Sequence, residues 1–177
     1  MRKAKRSKAK AGKAPAKKAR VQPIPAGYNE VTPYLSIRGA AEAIEFYKKA
    51  FGAKEVMRMP GPERKLGHAE MRIGGSRIML SDEYAEMDFL GPQSRGGTTV
   101  HLHVYVNGVD RVIERAVAAG AKLVRPVQNQ FYGDRTGTVQ DPFGHVWHFA
   151  THVEDVPLKE LKRRAAEMAQ KASQPQG

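Results

Sequence analysis

The chain has 177 residues, with 30 Lys or Arg against 18 Asp or Glu, a formal net charge of +12 and no cysteine. That length admits one domain with a sizeable core, and the missing cysteines exclude a disulfide framework and thiolate metal ligands. No apolar run approaches the roughly 18 residues of a membrane span, and the basic start is not followed by the apolar core of a secretory signal, so the expectation is a cytoplasmic protein with no membrane partner.

Residues 1–20 hold ten cations: Arg2, Lys3, Lys5, Arg6, Lys8, Lys10, Lys13, Lys17, Lys18 and Arg20. They include no acid and no aromatic residue, so nothing offsets the cost of ordering them; residues 1–27 are expected to be a disordered basic arm and linker. The rest of the chain carries 20 basic and 18 acidic residues, so any nucleic-acid contact rests on the arm. Without interleaved aromatics or a base-reading motif, such contact is expected to be non-specific and salt-sensitive; a solvated tail is the alternative. The arm is Lys-rich, with one Ser and no apolar face, which argues against an organellar transit peptide.

A domain is expected over 28–156. Val31 to Ile37 alternates like a strand, and Gly39 opens a helical stretch in which Ala40, Ala43, Ile44, Tyr47 and Phe51 recur at three and four. Gly52 suits the left-handed stop of that helix. Ala53 to Met59, Gly67 to Ile73 and Arg77 to Ser81 read as strands, the last two joined by a tight turn at Gly74 and Gly75. The polar, Gly-rich stretch from Glu83 to Thr98 reads as a surface loop.

The same order then repeats. Val31 to Lys54 (VTPYLSIRGAAEAIEFYKKAFGAK) returns as Val100 to Lys122 (VHLHVYVNGVDRVIERAVAAGAK), 69 positions later until a one-residue gap before GAK. IGGSRIML around Gly75 likewise falls on DPFGHVWHF around Gly144. The second copy gives a strand from Thr99 to Val106, a helix from about Val109 to Ala119, and strands near Lys122 to Val127, Arg135 to Gln140 and Val146 to Thr151. The fold class is α+β: two tandem βαβββ modules, about 31–82 and 99–152, forming a curved mixed sheet around a central cavity. Pro157 suits the first turn of a C-terminal helix running to about Ala172 within residues 157–177, with Leu158, Leu161, Ala165 and Met168 on one side.

Strand parity divides the side chains between core and cavity. Leu102, Val104, Trp147, Phe149, Ile78, Leu80, Ala69 and Met71 take the core face. His101, His103, Tyr105, His148, His68 and Glu70 take the other, and converge if the two sheets curl round a common hollow.

The tandem modules, the AAEAIEFYKKAFGA helix, HAEMRIGGSRIMLSDE, and FYGDRTGTVQDPFGHVWHFATHVEDV resemble the vicinal oxygen chelate superfamily of glyoxalases, bleomycin-resistance proteins, fosfomycin-resistance enzymes and extradiol dioxygenases, and its PhnB-like branch in particular. The resemblance spans about Val31 to Val156. It implies four repeat-related metal-ligand positions, which fall here on Thr32, Met79, His101 and His148. Two imidazoles suit Zn, Ni, Mn or Fe, but a catalytic site needs a third protein ligand, and Thr32 and Met79 are poor ones; the balance favours a metal-free pocket. Glu70 is the candidate carboxylate and general base.

Arg135, in the GDR motif, is suited to a carboxylate or phosphate; its alternative is an ion pair with Asp134, Glu70 or Asp141. Phe131 and Tyr132 precede it as a pocket lid or a dimer seam. His103 reads as a hydrogen-bonding group, His145 and the Asp141, Pro142, Gly144 turn as structural, His152 as exposed, and Trp147 as core. No phosphate loop or nucleophile constellation appears. The function expected is binding of a small polar or anionic molecule between the modules by His68, His103, Tyr105, Phe131, Tyr132 and Arg135 with His101 and His148, in a homodimer. Metal-assisted lyase, transferase or dioxygenase chemistry is the catalytic form of that reading. A non-catalytic, metal-free antibiotic- or metabolite-binding protein, tethered to nucleic acid by its arm, is the alternative.

Overall fold

A computed structural model describes residues 21–172; the basic arm read from residues 1–20 lies outside them. The first module runs β1 (Tyr34–Ile37), α1 (Ala40–Phe51), β2 (Lys54–Pro60), β3 (Leu66–Ile73) and β4 (Ser76–Asp82). A connection containing a short helix, α2 (Pro92–Arg95), leads to β5 (His101–Tyr105), α3 (Val109–Ala118), β6 (Lys122–Asn129), β7 (Asp134–Gln140) and β8 (Val146–His152). The C-terminal helix is α4 (Leu158–Ala172). The strands form two four-stranded mixed sheets, ordered β1-β4-β3-β2 and β5-β8-β7-β6, so the fold is two tandem βαβββ modules.

The duplication is kept in register. Parallel pairing sets Tyr34 opposite Met79 and Leu35 opposite Leu80 in the first sheet, and His103 opposite His148 and Val104 opposite Phe149 in the second. Both helix starts are held alike. Gly39 and Ala40 donate their backbone N–H groups to Asp82 Oδ1 at 3.1 and 2.9 Å, and Gly108 and Val109 donate theirs to Thr151 Oγ1 at 3.2 and 2.9 Å. Each donor pair and its acceptor recur at the offset of 69 read in the sequence. These contacts satisfy amide groups that a helix N-terminus leaves without partners. The left-handed backbone of Gly39 and Gly108, φ +84° and +90°, turns the chain into each helix.

The core lies between the helices and the sheets and is shared by the modules. Helix α1 covers its own sheet with Ala40, Ala43, Ile44 and Tyr47, all buried, and packs against α3. Its Phe51 also reaches Trp147 and Phe149 of β8, with ring centroids 4.8 and 4.9 Å apart. At the seam the buried Asp141 carboxylate accepts hydrogen bonds from Tyr47 Oη at 2.8 Å, Trp147 Nε1 at 2.9 Å and the backbone amides of Phe143 and His145. The turn read as local chemistry is thus also the tie between modules. Arg115 of α3 donates to the Ala50 carbonyl at 2.7 Å, where the last turn of α1 has carbonyls to spare.

Three local readings change. The first strand starts at Tyr34 rather than Val31, just after Pro33, which has no N–H to give to a ladder. The 83–98 stretch holds a 3₁₀ turn at Ala85–Met87 as well as α2, and walls a cavity of about 660 Å³ with Pro33, Leu35 and Leu102. The strand β6 extends to Asn129, because register shifts on either side of Arg125 let it carry Pro126 and continue.

Candidate functional site

Across the second sheet, register builds one continuous row. His103 faces His148, His148 faces Thr138, and Thr138 faces Arg125. With Trp147 and Phe149 committed to the core, parity turns His148 to the opposite face, and cross-strand pairing brings His103, Thr138 and Arg125 into its row. They line a cleft of about 270 Å³ together with Pro126, Gln128, Gln130, Tyr132 and Thr136.

The polar groups of this face are partly satisfied by one another. His101 Nδ1 lies 2.9 Å from His148 Nε2, and Thr138 Oγ1 lies 2.8 Å from His148 Nδ1. Burial, reinforced by His101, His103 and Arg125, pushes the His148 imidazole below its ordinary pKa, so it is held neutral at pH 7. Arg125 is the only Lys or Arg lining the cleft. It makes no ion pair or side-chain hydrogen bond among the described residues, and its fork of donors is open.

The other expected binding residues are placed differently. Tyr105 donates to Asp134 Oδ2 at 2.8 Å. Burial opposes ionisation of Asp134, but hydrogen bonds from His152 and Tyr105 outweigh it and hold this carboxyl below its usual range. Arg135 pairs in bidentate fashion with Asp110 in the first turn of α3, at 2.8 and 2.6 Å, rather than with Asp134, Glu70 or Asp141. Its fork is therefore occupied. Phe131 and Tyr132 make an edge-to-face pair with centroids 5.3 Å apart, and of these two only Tyr132 lines the cleft.

His68 and Glu70 belong to a separate cluster on the first sheet. Tyr34 Oη lies 3.0 Å from His68 Nδ1, His68 Nε2 lies 3.6 Å from Glu70, and Arg77 Nη1 is 2.5 Å from the Glu70 carboxylate. The Tyr28 hydroxyl, then Arg77 and His68, hold Glu70 below the usual carboxylate range despite its burial. A carboxylate stabilised in this way as an anion is a weaker base than a free one. The clusters do not merge. A cleft of about 370 Å³ runs from Arg77 to His103 and Tyr105, but neither Glu70 nor His68 reaches the His101–His148 pair.

The donor set for a metal can be judged on these contacts. His101 and His148 bond to each other, Thr138 bonds to the second nitrogen of His148, and Glu70 is spent on Arg77. Among the described residues no group of three or more His, Cys, Asp or Glu gathers around a common point. So placed, the described residues of one chain do not fit a catalytic metal centre.

Sequence reasoning missed Arg125, Thr138, Thr136, Gln128 and Gln130. Thr138 and Thr136 follow from the parity of β7, since Val139 is core. Arg125 could not be placed by parity, because the register shifts around it break the alternation of β6.

Comparison with known proteins places this architecture. A family model described as Glyoxalase/Bleomycin resistance protein/Dioxygenase superfamily matches residues 29–149. An uncharacterized protein of Mycobacterium tuberculosis strain H37Rv is 44% identical over 135 residues, covering 75% of this chain and 79% of that one. The crystal structure of TioX from a Micromonospora species superposes with a TM-score of 0.56 at 26% identity, over 73% of this chain and 100% of that one. A glyoxalase-related enzyme from Fulvimarina pelagi gives 0.56 at 27% identity, over 69% and 87%.

Proposed function

The chain belongs to the glyoxalase/bleomycin resistance protein/dioxygenase superfamily, and on that premise we propose that it binds a small organic anion in the cleft on the polar face of its second sheet. The observation that carries this reading is Arg125, an arginine without a carboxylate partner among the described residues, in a row with His103, His148 and Thr138. A guanidinium presents parallel donors to a carboxylate, phosphate or phosphonate, while neutral His148 and the Gln128 and Gln130 amides can orient the remainder. Arg125 takes the part that the sequence assigned to Arg135. The 270 Å³ volume fits a small molecule rather than a drug-sized one.

The test is a thermal-shift screen of small carboxylates, phosphates and phosphonates in chelator-treated buffer, followed by calorimetry on wild type, Arg125→Met and Arg135→Met. Methionine is what the first module carries at the matching position, since Met57 faces Glu70 as Arg125 faces Thr138. Loss of a charge-assisted hydrogen bond is worth about 1.5–3 kcal/mol, so Arg125→Met should weaken binding about tenfold to a hundredfold while Arg135→Met leaves it near wild type. A ligand held equally well by Arg125→Met would refute the assignment.

Three companion proposals rest on less. Assignment to the PhnB-like branch rests on the GDR and DPFGH-x-W motifs; orthologue alignment at those motifs checks it. A homodimer is supported by apolar side chains exposed along both outer strands, Val56 and Met59 on β2 and Leu123 and Val124 on β6; light scattering checks it. Non-specific nucleic-acid contact through residues 1–20 is supported by their ten cations; a deletion that left salt-sensitive DNA binding unchanged would rule it out.

A further inference from the structure

The chain leaving β8 is tied back to the turn that joins β6 to β7. In that turn the Gln130 amide donates to the Asp134 carbonyl at 2.7 Å and the Gly133 amide to the Gln130 carbonyl at 3.1 Å, which sets Phe131 and Tyr132 at the tip. The Gly133 carbonyl accepts from the Val153 and Glu154 amides at 2.9 and 3.0 Å. The two stretches lie so close that a Cβ on Gly133, whose φ is +97°, would collide with the Glu154 carbonyl. Helix α4 adds a side-chain tie. Among the described residues, Arg164 is the only side chain of α4 that hydrogen-bonds outside the helix. Its Nη1 donates to the Phe131 carbonyl at 3.2 Å and to Glu154 Oε2 at 2.9 Å, and its Nη2 to Glu154 Oε1 at 2.7 Å.

The repeat supplies a comparison within the molecule. At the offset of 69, the counterpart of Val153 is Tyr84. Tyr84 is buried, its ring lies under the Lys65 ammonium at 5.3 Å, and a Cβ on Gly61 would meet its hydroxyl, so the first module fixes the turn between β2 and β3 with a packed ring. In the second module Val153 is exposed, and the corresponding turn leans on an ion pair that water reaches, the Arg164 and Glu154 side chains being 27% and 50% exposed. Such a pair contributes little and weakens with salt. The tie on the second turn is therefore the reversible one, and Tyr132 on that turn walls the Arg125 cleft. Helix α4 itself lies beyond residue 149, where the family match ends.

We infer that α4 is a latch on the Arg125 cleft and that Arg164 is its positioning residue. By holding the Phe131 carbonyl and Glu154 together, Arg164 keeps Tyr132 against the cleft; its release lets the turn swing outward and admits a bulkier anion. This role rests on the cleft being the binding site proposed above. Arg164 does not line the cleft and acts through Tyr132. The neighbouring Arg163 is a control within the same helix, since it pairs only with Glu160 and Glu167 of α4.

The experiment compares full-length wild type, Arg164→Met and Arg163→Met. With no ligand added, amide hydrogen exchange at Gly133, Val153 and Glu154 should quicken about threefold to tenfold in Arg164→Met and not in Arg163→Met, while amides at the centre of β7 keep their rates. Salt at about 1 M should quicken the same amides in wild type and add nothing in Arg164→Met. Calorimetry with inorganic phosphate and phenylphosphonate then reads the cleft: the preference of wild type for the smaller anion should shrink by about threefold to tenfold in Arg164→Met. Unchanged exchange in Arg164→Met, an equal change in Arg163→Met, or an unchanged ratio of the two anions overturns the latch. Binding of neither anion by wild type overturns the Arg125 site instead, and the exchange rates alone then decide whether Arg164 holds the turn.

Discussion

His152 shows how one side chain converts geometry into pH dependence. Its two ring nitrogens lie 2.7 Å from Asp134 and 3.0 Å from Asp155, so only the doubly protonated ring donates to both. Asp134 first, then Asp155, raise its pKa above the ordinary histidine value. A group whose folded pKa is raised adds stability that is complete below the unfolded value, near 6.5, and is lost as pH rises through the folded one. We therefore predict that His152→Gln lowers the melting temperature at pH 5.5 and has little effect at pH 9. An equal loss at both pH values would show that the ring acts through packing instead. Before the structure, His152 was readable only as an exposed residue at a strand end, because neither carboxylate is placed by local pattern. Arg135 teaches the same lesson: the type of its partner followed from its chemistry, but Asp110 is brought to it by the α3 packing.

At the scale of elements, both helices are started by residues more than forty positions away. Asp82 and Thr151 take the role usually given to the preceding residue, for which glycine provides no side chain. Thr151 also donates to the Val106 carbonyl at 2.7 Å, joining β8 to the turn before α3. Thr151→Ala is expected to cost about 0.5–2 kcal/mol, the range for a lost helix cap, with Thr151→Ser restoring most of it in urea denaturation. Strands and helices themselves were legible because periodicity of two and of three to four is imposed by burial on one face. The caps were not, since a capping residue is sought next to its helix; only the shared offset of 69 connects the two arrangements. Likewise β6 hid Arg125, where a break in alternation moved a cation onto the row of the histidines.

On the scale of the whole molecule, one buried carboxylate lies at the centre of the seam between the modules. Replacing Asp141 with Ala leaves the Tyr47 hydroxyl and the Trp147 indole N–H without acceptors inside the aromatic cluster. Each stranded buried donor costs about 1–3 kcal/mol, so the variant should lose about 2–6 kcal/mol, with both modules melting in one transition. Survival of one module at the temperature where the other melts would show that the seam is not what unites them. Tyr47 and Trp147 were readable as core from their spacing, and Asp141 as part of a turn; the contact between them depends on how α1 docks against β8, which no local pattern states.

The seam also bears on how a chain of this kind arises. Phe51 and Tyr47 would stand bare on a solitary module, and Trp147 and Phe149 on the other. A single-module ancestor could hide such rings only by meeting another molecule, so its folding would have depended on how much of it the cell contained. Fusion of two copies into one polypeptide removes that dependence, since the mate is always present at the effective concentration its tether sets. Released from the need to match each other, the two faces could then diverge, one acquiring Arg125 and the other the Glu70–Arg77 pair.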